Sequence, residues 1–192
     1  MKKILCICLL LASPTLFAEN PEVLIKTTEG DFTIRLYADK APITVENFLA
    51  YVDSGFYEGT IFHRVIPKFM IQTGGFNERM EQKETLPTIK NEAKNRVHNE
   101  RATIAMARTN DPDSASSQWF VNVRTNFSLD WSPRNPGYTV FGEVIDGMYT
   151  VDSIAIVPTG NRGGYGDVPL TPVVITEVVL LGAEPAEEAP AE

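Results

Sequence analysis

Short segments of alternating apolar and polar residues, each bounded by a turn-forming residue, constrain the fold of this chain most. Alternation with period two is typical of strands, and these segments are rich in β-branched and aromatic side chains. Glycine, asparagine, aspartate or proline lies between them and keeps each strand short. The segments with this pattern are 23–27, 32–36, 61–65, 103–107, 119–123, 138–144 and 173–181. They predict a mainly β domain.

Two segments have a helical period instead. Residues 42–53 open with Pro42, which a first helical turn tolerates, and Gly55 follows the last apolar position. Residues 147–156 repeat the pattern, and Pro158 ends it. Many strands with two isolated helices favour a closed or nearly closed antiparallel barrel that is capped at its ends, because closure removes exposed strand edges.

The first residues have the layout of a secretory signal. Lys2 and Lys3 precede a short apolar run, and Ala18 offers a cleavage point. The run is too short to span a bilayer, so we expect no stable membrane insertion after cleavage. An uncleaved anchor or a buried first strand is the alternative. A lipoprotein fits less well, because neither Cys6 nor Cys8 ends the run.

Composition defines the remaining domain boundaries. We expect a signal peptide over residues 1–18, one domain over 19–182 and a disordered acidic tail over 183–192, which can bury almost no apolar area. Both cysteines lie in the signal, so the mature chain would contain none, which fits an oxidising compartment. The net charge of −8, with no basic block, argues against nucleic acid as a partner.

Most enzyme classes lack their residues here. His63 and His98 are the only histidines, and neither lies at metal-ligand spacing from other ligands. The sequence has no phosphate-cradling glycine loop and no serine elbow. Residues 111–113 suggest a cation loop but lack its other acidic ligands, so we interpret them as a surface turn. No metal or cofactor is expected.

The run 62–76 has the strongest chemical signal. It sets Arg64 among apolar and aromatic residues, with Gln72 and a glycine bend close behind. A cation bordering an apolar pocket, beside an amide, suits a neutral substrate with one electron-poor amide, and no nucleophile for hydrolysis is present. Alternation predicts shared faces for Phe62, Arg64 and Ile66, for Phe69, Ile71 and Thr73, and for Met70 and Gln72.

This run resembles the signature of cyclophilin-type peptidyl-prolyl cis-trans isomerases. The resemblance extends over residues 23–181 and looks most like the bacterial periplasmic members. The other blocks that carry it are 42–48, 55–57, 103–107, 114–120 and 137–142. It implies a closed antiparallel eight-stranded β-barrel capped by two α-helices. It also implies a monomeric periplasmic isomerase that acts on proline-containing, unfolded or partly folded polypeptides.

The resemblance also assigns the site residues. Arg64 matches the catalytic arginine, and Gln72 matches the side chain that steers the substrate carbonyl. The expected substrate-binding residues are Phe69, Met70, Phe120 and Leu129 as pocket walls, Ala107 and Arg108 through backbone groups, Gln118 beside Arg64 and able to hold it, and Tyr138 at the rim. His63 is interpreted as structural, because its sequence neighbour points to the opposite face.

Such an enzyme need not move protons or form covalent bonds. It need only bind the twisted prolyl amide more tightly than the planar forms. The twisted amide nitrogen regains a lone pair, which a fixed guanidinium stabilises. Two other interpretations stay open: a proline-binding module without turnover, and a hydrolase or lectin-like β protein.

Three positions depart from the pattern. Ser128 occupies the place of a bulky aromatic, so either Phe127 or Trp131 shifts into the pocket rim or that wall is open. The departure puts cyclosporin binding in doubt, because the drug leans on that aromatic. Lys68 replaces a common glycine and Trp119 a common phenylalanine, and we expect both to alter only packing or rim charge.

Overall fold

The computed structural model describes residues 20–182, so the expected signal peptide and acidic tail lie outside the described residues. The strands are β1 (Glu22–Thr27), β2 (Gly30–Leu36), β3 (Arg64–Ile66), β4 (Met70–Thr73), β5 (Thr103–Met106), β6 (Trp119–Asn122), β7 (Val140–Asp146), β8 (Thr159–Arg162), β9 (Tyr165–Pro169) and β10 (Ile175–Leu181). The α-helices are α1 (Pro42–Asp53) and α2 (Met148–Ile154), and Ala93–Asn95 and Phe127–Leu129 form 3₁₀ turns.

One curled antiparallel sheet forms most of the fold. Its strand order is β10-β1-β2-β7-β5-β6-β4-β3, and β8 pairs with β9 in a separate hairpin. Within residues 20–182, no continuous ladder joins the edge strands β3 and β10. The segments beside them are joined by an isolated bridge, Ile61 to Val174, and by backbone hydrogen bonds between residues 59–62 and 173–175, such as Phe62 N to Val173 O at 2.9 Å. The mainly β fold and the eight strands are confirmed. Closure of the barrel by a continuous ladder is not confirmed.

The alternation of apolar and polar residues along the strands determines which side chains form the core. In β1 every second residue is buried, including Val23 and Ile25 with no exposed surface. Helix α1 covers one end of the sheet, and its Phe48 ring lies 5.8 Å from that of Trp119 and 5.4 Å from that of Phe141. The apolar interior fixes which face of each strand points outward, because a shift of the strand register by one residue would turn the apolar side chains toward solvent.

The two helices follow local signals. Helix α1 has the predicted bounds, with Pro42 in its first turn and Gly55 at φ +65° just after it. Helix α2 is shorter than the predicted 147–156, because Gly147 is left-handed at φ +75° and precedes the helix. Among the described residues, no helix has the length and apolar character needed to cross a membrane.

The region around β3 differs most from the predicted strands. The structure has β3 at Arg64–Ile66 instead of 61–65, and Phe62 packs in the main core instead of sharing a face with Arg64. The hairpin β8–β9, which alternation does not indicate, packs beside β3. Its glycines and polar residues conceal the strand pattern, since pairing there depends on the tertiary contact.

Candidate active site

A cavity of about 170 Å³ with both apolar and polar walls lies on the outer face of the sheet. Its walls come from β3 and β4, the ends of β5 and β6, and the loop before β7. The lining residues are Arg64, Phe69, Met70, Gln72, Ala107, Arg108, Phe120, Leu129 and Tyr138. The structure thus brings together every predicted site residue except Gln118, which borders the adjacent cavity. A larger, polar recess at the ends of β1 and β10 contains none of them.

Strand register forms the pocket floor. Arg64 lies opposite Gln72, and Gln72 lies opposite Phe120 on the next strand. Residues two apart share a face, so Met70 joins Gln72 there as predicted. Phe69 also reaches the pocket, although alternation separates it from Met70, because it precedes β4 in the turn after Pro67. Met70 and Phe120 form a buried apolar cluster with Ala105 and Val140.

The turn into β4 carries a backbone cost. Lys68 has φ +58°, the left-handed region in which a side chain clashes and glycine is favoured. This conformation explains why glycine suits the position. The departure at Lys68 therefore changes backbone strain, and not only the rim charge that we expected.

Arg64 lies at the rim of the apolar floor. Its side chain is 47% exposed, and its Nε is 3.9 Å from Oδ2 of Asp167 on β9. Asp167 is the only carboxylate within 4.0 Å of Arg64 in residues 20–182. The guanidinium thus keeps most of its donors free, and no carboxylate lines the cavity that it borders, so an acceptor placed over the floor can reach it.

Gln118 contacts Gln72 and not Arg64. Gln72 Nε2 donates a hydrogen bond to Gln118 Oε1 at 2.8 Å. No hydrogen bond joins Gln118 to Arg64 in the described part of the chain, so the expectation that Gln118 holds the arginine is not supported. The physical reason is that its amide oxygen is already engaged. Gln118 instead lines an adjacent cavity of about 190 Å³, which shares Gln72, Ala107 and Arg108 with the pocket.

The end of β5 offers backbone groups to a bound chain. Ala107 N–H is donated to Gln118 O at 2.9 Å. Within residues 20–182, the Ala107 carbonyl and the Arg108 N–H have no intramolecular partner. They belong to one planar trans peptide unit and point in opposite directions, so a bound extended peptide can pair with only one of them. The resemblance assigned a backbone role to both residues, and the structure leaves one such hydrogen bond available to a substrate.

Arg108 also contributes its side chain, which the sequence reasoning missed. Its guanidinium carbon is 4.4 Å from the centre of the Tyr138 ring, and its Nε donates to Gly137 O at 2.9 Å. The Tyr138 ring in turn meets Phe120 edge-on at 5.8 Å. This stack gives the pocket a rigid cationic and aromatic rim. Nothing in the local pattern at residue 108 indicates a partner so distant in sequence.

The wall beside Leu129 is open. Leu129 lines the pocket from the 3₁₀ turn, but Phe127, Ser128 and Trp131 do not. Phe127 is 60% exposed and packs against His98, with the ring centres 5.5 Å apart. The Trp131 ring lies beneath Lys94, whose Nζ is 5.8 Å from the ring centre. Of the two alternatives, no local shift of an aromatic into the rim is observed.

His63 lies behind the site and is 4% exposed. Burial lowers its pKa to about 4, so the ring is neutral at pH 7. Its Nδ1 is buried and has no hydrogen-bond partner among residues 20–182, and the ring packs on Phe76 with the ring centres 4.7 Å apart. These contacts agree with the structural interpretation of His63.

Comparison with known proteins identifies the family. The family described as "Cyclophilin type peptidyl-prolyl cis-trans isomerase/CLD" matches residues 22–180. A "Peptidyl-prolyl cis-trans isomerase A" of Dickeya dadantii is 51% identical over 84% of this chain and 85% of that protein. A "Peptidyl-prolyl cis-trans isomerase" of Acinetobacter baylyi is 53% identical over 84% of this chain and 86% of that one.

Solved structures agree on the fold. A cyclophilin-type peptidyl-prolyl cis-trans isomerase of Cryptosporidium parvum has a TM-score of 0.70 at 26% identity, covering 86% of this chain and 99% of that chain. It is also solved in the presence of the dipeptide Ala-Pro, with a TM-score of 0.68 at 27% identity, covering 83% of this chain and 98% of that chain. The present chain belongs to the cyclophilin-type peptidyl-prolyl cis-trans isomerase family.

Proposed function

We propose that this isomerase accelerates rotation about X-Pro peptide bonds, with Arg64 as the catalytic residue. The observation that carries this assignment is the position of Arg64 at the rim of a cavity of about 170 Å³ whose floor is apolar. Met70 and Phe120 line that floor and are nearly fully buried, so a proline ring placed on them loses water contact. Apolar contact of this kind contributes about 25 cal/mol per Å² of buried surface.

The chemistry demanded of the site is modest. Conjugation of the prolyl amide gives a rotation barrier of about 18–20 kcal/mol, and uncatalysed exchange takes roughly tens to hundreds of seconds. Each ~1.4 kcal/mol by which the site prefers the twisted amide to the planar forms gives about tenfold in rate. The twisted nitrogen carries a localised lone pair, so hydrogen bonding from the Arg64 guanidinium strengthens in the transition state.

Neighbouring groups hold the rest of the peptide still while one side rotates. Gln72 is fixed by Gln118 and can donate its remaining amide hydrogen to a substrate carbonyl. Either the free carbonyl of Ala107 or the free N–H of Arg108 can form a hydrogen bond with the peptide backbone, since the two point in opposite directions from one peptide unit. Anchoring one side this way makes rotation of the other side the only motion left.

Arg64→Ala tests the catalytic assignment. Protease-coupled isomerisation of a proline tetrapeptide should show kcat/KM reduced by roughly 10²–10³, the loss typical of removing one transition-state donor. Peptide affinity, measured by titration, should fall less. Arg79→Ala is the matched control, because Arg79 is exposed and pairs with Glu81 away from the pocket. Equal activity in wild type and Arg64→Ala overturns the assignment. A wild-type protein that binds the peptide without isomerising it would instead be a binding module.

We further propose that the enzyme acts as a monomer in the periplasm on unfolded or partly folded exported chains, with no nucleic-acid partner. A cis proline limits folding at a rate that such catalysis relieves. The arrangement of residues 1–18 supports export. Mass spectrometry of fractionated cells should find a mature chain that starts near Glu19. A full-length species in the cytosol contradicts this localisation.

A further inference from the structure

Three buried asparagines form a hydrogen-bonded cluster beneath the loop that carries Leu129. Asn122 Nδ2 donates to Asn99 Oδ1 at 3.2 Å and to Thr103 Oγ1 at 3.0 Å. Asn126 Nδ2 donates to Asn122 Oδ1 at 2.8 Å. Asn99 and Asn122 have no exposed surface, and Asn126 is 7% exposed. We call Asn99, Asn122 and Asn126 the asparagine cluster.

The asparagine cluster connects two walls of the pocket. Asn126 Nδ2 also donates to the backbone carbonyl of Phe69 at 3.0 Å. Asn126 O accepts from Leu129 N at 2.9 Å, and Leu129 O accepts from Tyr138 N at 2.9 Å. Phe69, Leu129 and Tyr138 all line the pocket. One amide thus joins the turn before β4 to the opposite loop.

The far end of the cluster is tied to a carboxylate. Asp130 Oδ1 accepts from Asn99 N at 2.8 Å and from Asn99 Nδ2 at 2.9 Å, and Asp130 Oδ2 is 2.7 Å from His98 Nδ1. Partial burial raises the pKa of Asp130, but the hydrogen bonds from Asn99 and the contact with His98 outweigh it, so the pKa is lowered. The carboxylate is therefore a charged acceptor, which strengthens its hydrogen bonds.

An apolar layer would fill this space at lower desolvation cost, since buried amides gain little net stability. What directional bonds add is a defined position for the loop. The loop needs this, because Ser128 leaves the wall open and neither Phe127 nor Trp131 supports Leu129 from the pocket side.

We propose that the asparagine cluster, with Asp130, positions Leu129 against Phe69 and so sets the width of the proline pocket. This inference rests on the proposed function, and its residues are positioning residues that touch no substrate. A pocket that is too wide binds the proline ring weakly, but Arg64 and Gln72 on β3 and β4 keep their geometry. The expected signature is a raised KM with a nearly unchanged kcat.

Asn126→Ala removes both donors of the bridging amide. We expect KM for a proline tetrapeptide to rise about tenfold, with kcat within about twofold. Amide hydrogen exchange at Leu129 should also become faster, because its acceptor residue is released. The control is Thr150→Val, which deletes a buried hydroxyl of α2 that donates to Asp31 O at 3.0 Å. Its KM should equal that of wild type.

Asp130→Ala and Asp130→Asn form a second pair for the case that Asn126→Ala does not fold. The asparagine retains an acceptor for Asn99, so Asp130→Asn should keep KM within about twofold, while Asp130→Ala raises it about threefold to tenfold. Unchanged KM in Asn126→Ala, or in Asp130→Ala if the former is unfolded, overturns the inference. If wild type shows no isomerase turnover, only the proposed function is refuted. The inference about pocket width would then be tested by measuring the peptide affinity of the same variants.

Discussion

Gln72 on β4 and Gln118, which immediately precedes β6, are joined by a side-chain hydrogen bond in which Nε2 of Gln72 donates to Oε1 of Gln118 at 2.8 Å. The bond depends on a third position, because the Gln118 side chain lies directly over Gly75. A Cβ added to Gly75 would lie 2.5 Å from Gln118 Nε2 and 2.6 Å from its Cδ. The absence of a side chain at Gly75 thus gives Gln118 the space from which it orients Gln72.

Gly75→Ala should therefore lower activity more than stability. The added methyl group meets only a flexible side chain, so Gln118 can move away at little cost to folding. Gln72 then loses its partner, and we expect kcat/KM to fall about fivefold to tenfold, the value of one hydrogen bond. The coupled isomerase assay and a urea titration measure the two quantities. A variant that loses stability but keeps kcat/KM contradicts this relationship.

Gly74→Ala is the matched control, and we expect it to lower the free energy of unfolding instead of mainly lowering activity. Gly74 has φ +81°, and its added Cβ would lie 2.6 Å from the Ser117 carbonyl oxygen, which is backbone and cannot move aside cheaply. Left-handed strain and this contact should cost about 2 kcal/mol or more of unfolding free energy.

Local sequence signals predicted most of the fold. Helix α1 has its expected bounds, because Pro42 and Gly55 act within one turn of its ends. Strand alternation predicted β1 and β2 well, since one face of each is buried. The β8–β9 hairpin was missed because its stability depends on packing beside β3, and its glycines hide any period. Pairing between distant edges, which decides closure, has no local signal.

The pocket residues could be predicted only because several separate motifs resemble one family. Alternation alone puts Phe69 and Met70 on different faces, yet both line the cavity. The partner of Gln118 could not be predicted, because a side-chain hydrogen bond between residues distant in sequence depends on rotamers and on the space at Gly75. The stack of Arg108 on Tyr138 was missed for the same reason.

His63 should make folding stability depend on pH. Burial lowers its pKa in the folded state to about 4, from an ordinary value of 6.5. Between these values the unfolded chain binds more protons, so stability rises with pH across the window and falls as the pH is lowered through it. The loss between about pH 7 and pH 4 should reach about 3 kcal/mol, measured by urea titration.

His63→Gln should remove that part of the pH dependence. Carboxylates with lowered pKa values, such as Asp130, contribute equally in both proteins, so the difference between the two curves isolates His63. Identical curves for wild type and His63→Gln would show that His63 does not titrate in this way.

Trp119→Phe should change stability little despite complete burial. Trp119 Nε1 is buried and has no hydrogen-bond partner in the part of the chain that the structure describes, and such an unsatisfied donor costs about 1–3 kcal/mol. Removing it offsets the cavity left by the smaller ring, so we expect unfolding free energies within about 1 kcal/mol of each other. Trp119→Ala, which leaves a large cavity, should lose about 3–5 kcal/mol in the same urea titration. A loss in Trp119→Phe as large as that in Trp119→Ala contradicts the offset.

The open wall at Ser128 should make the enzyme weakly sensitive to cyclosporin. The resemblance implies that the drug leans on a bulky aromatic at this position, and here Ser128 is exposed beside Leu129 while Phe127 points to His98. Ser128→Trp would place an apolar surface next to the pocket without altering its lining residues. We expect at least a tenfold lower inhibitory concentration, because one additional buried aromatic readily contributes ~1.4 kcal/mol. Turnover of a short peptide should change less than twofold. Phe127→Trp is the matched control, since its ring stays outside the pocket; equal sensitisation by both variants would mean that added apolar surface, and not the wall at Ser128, controls the drug.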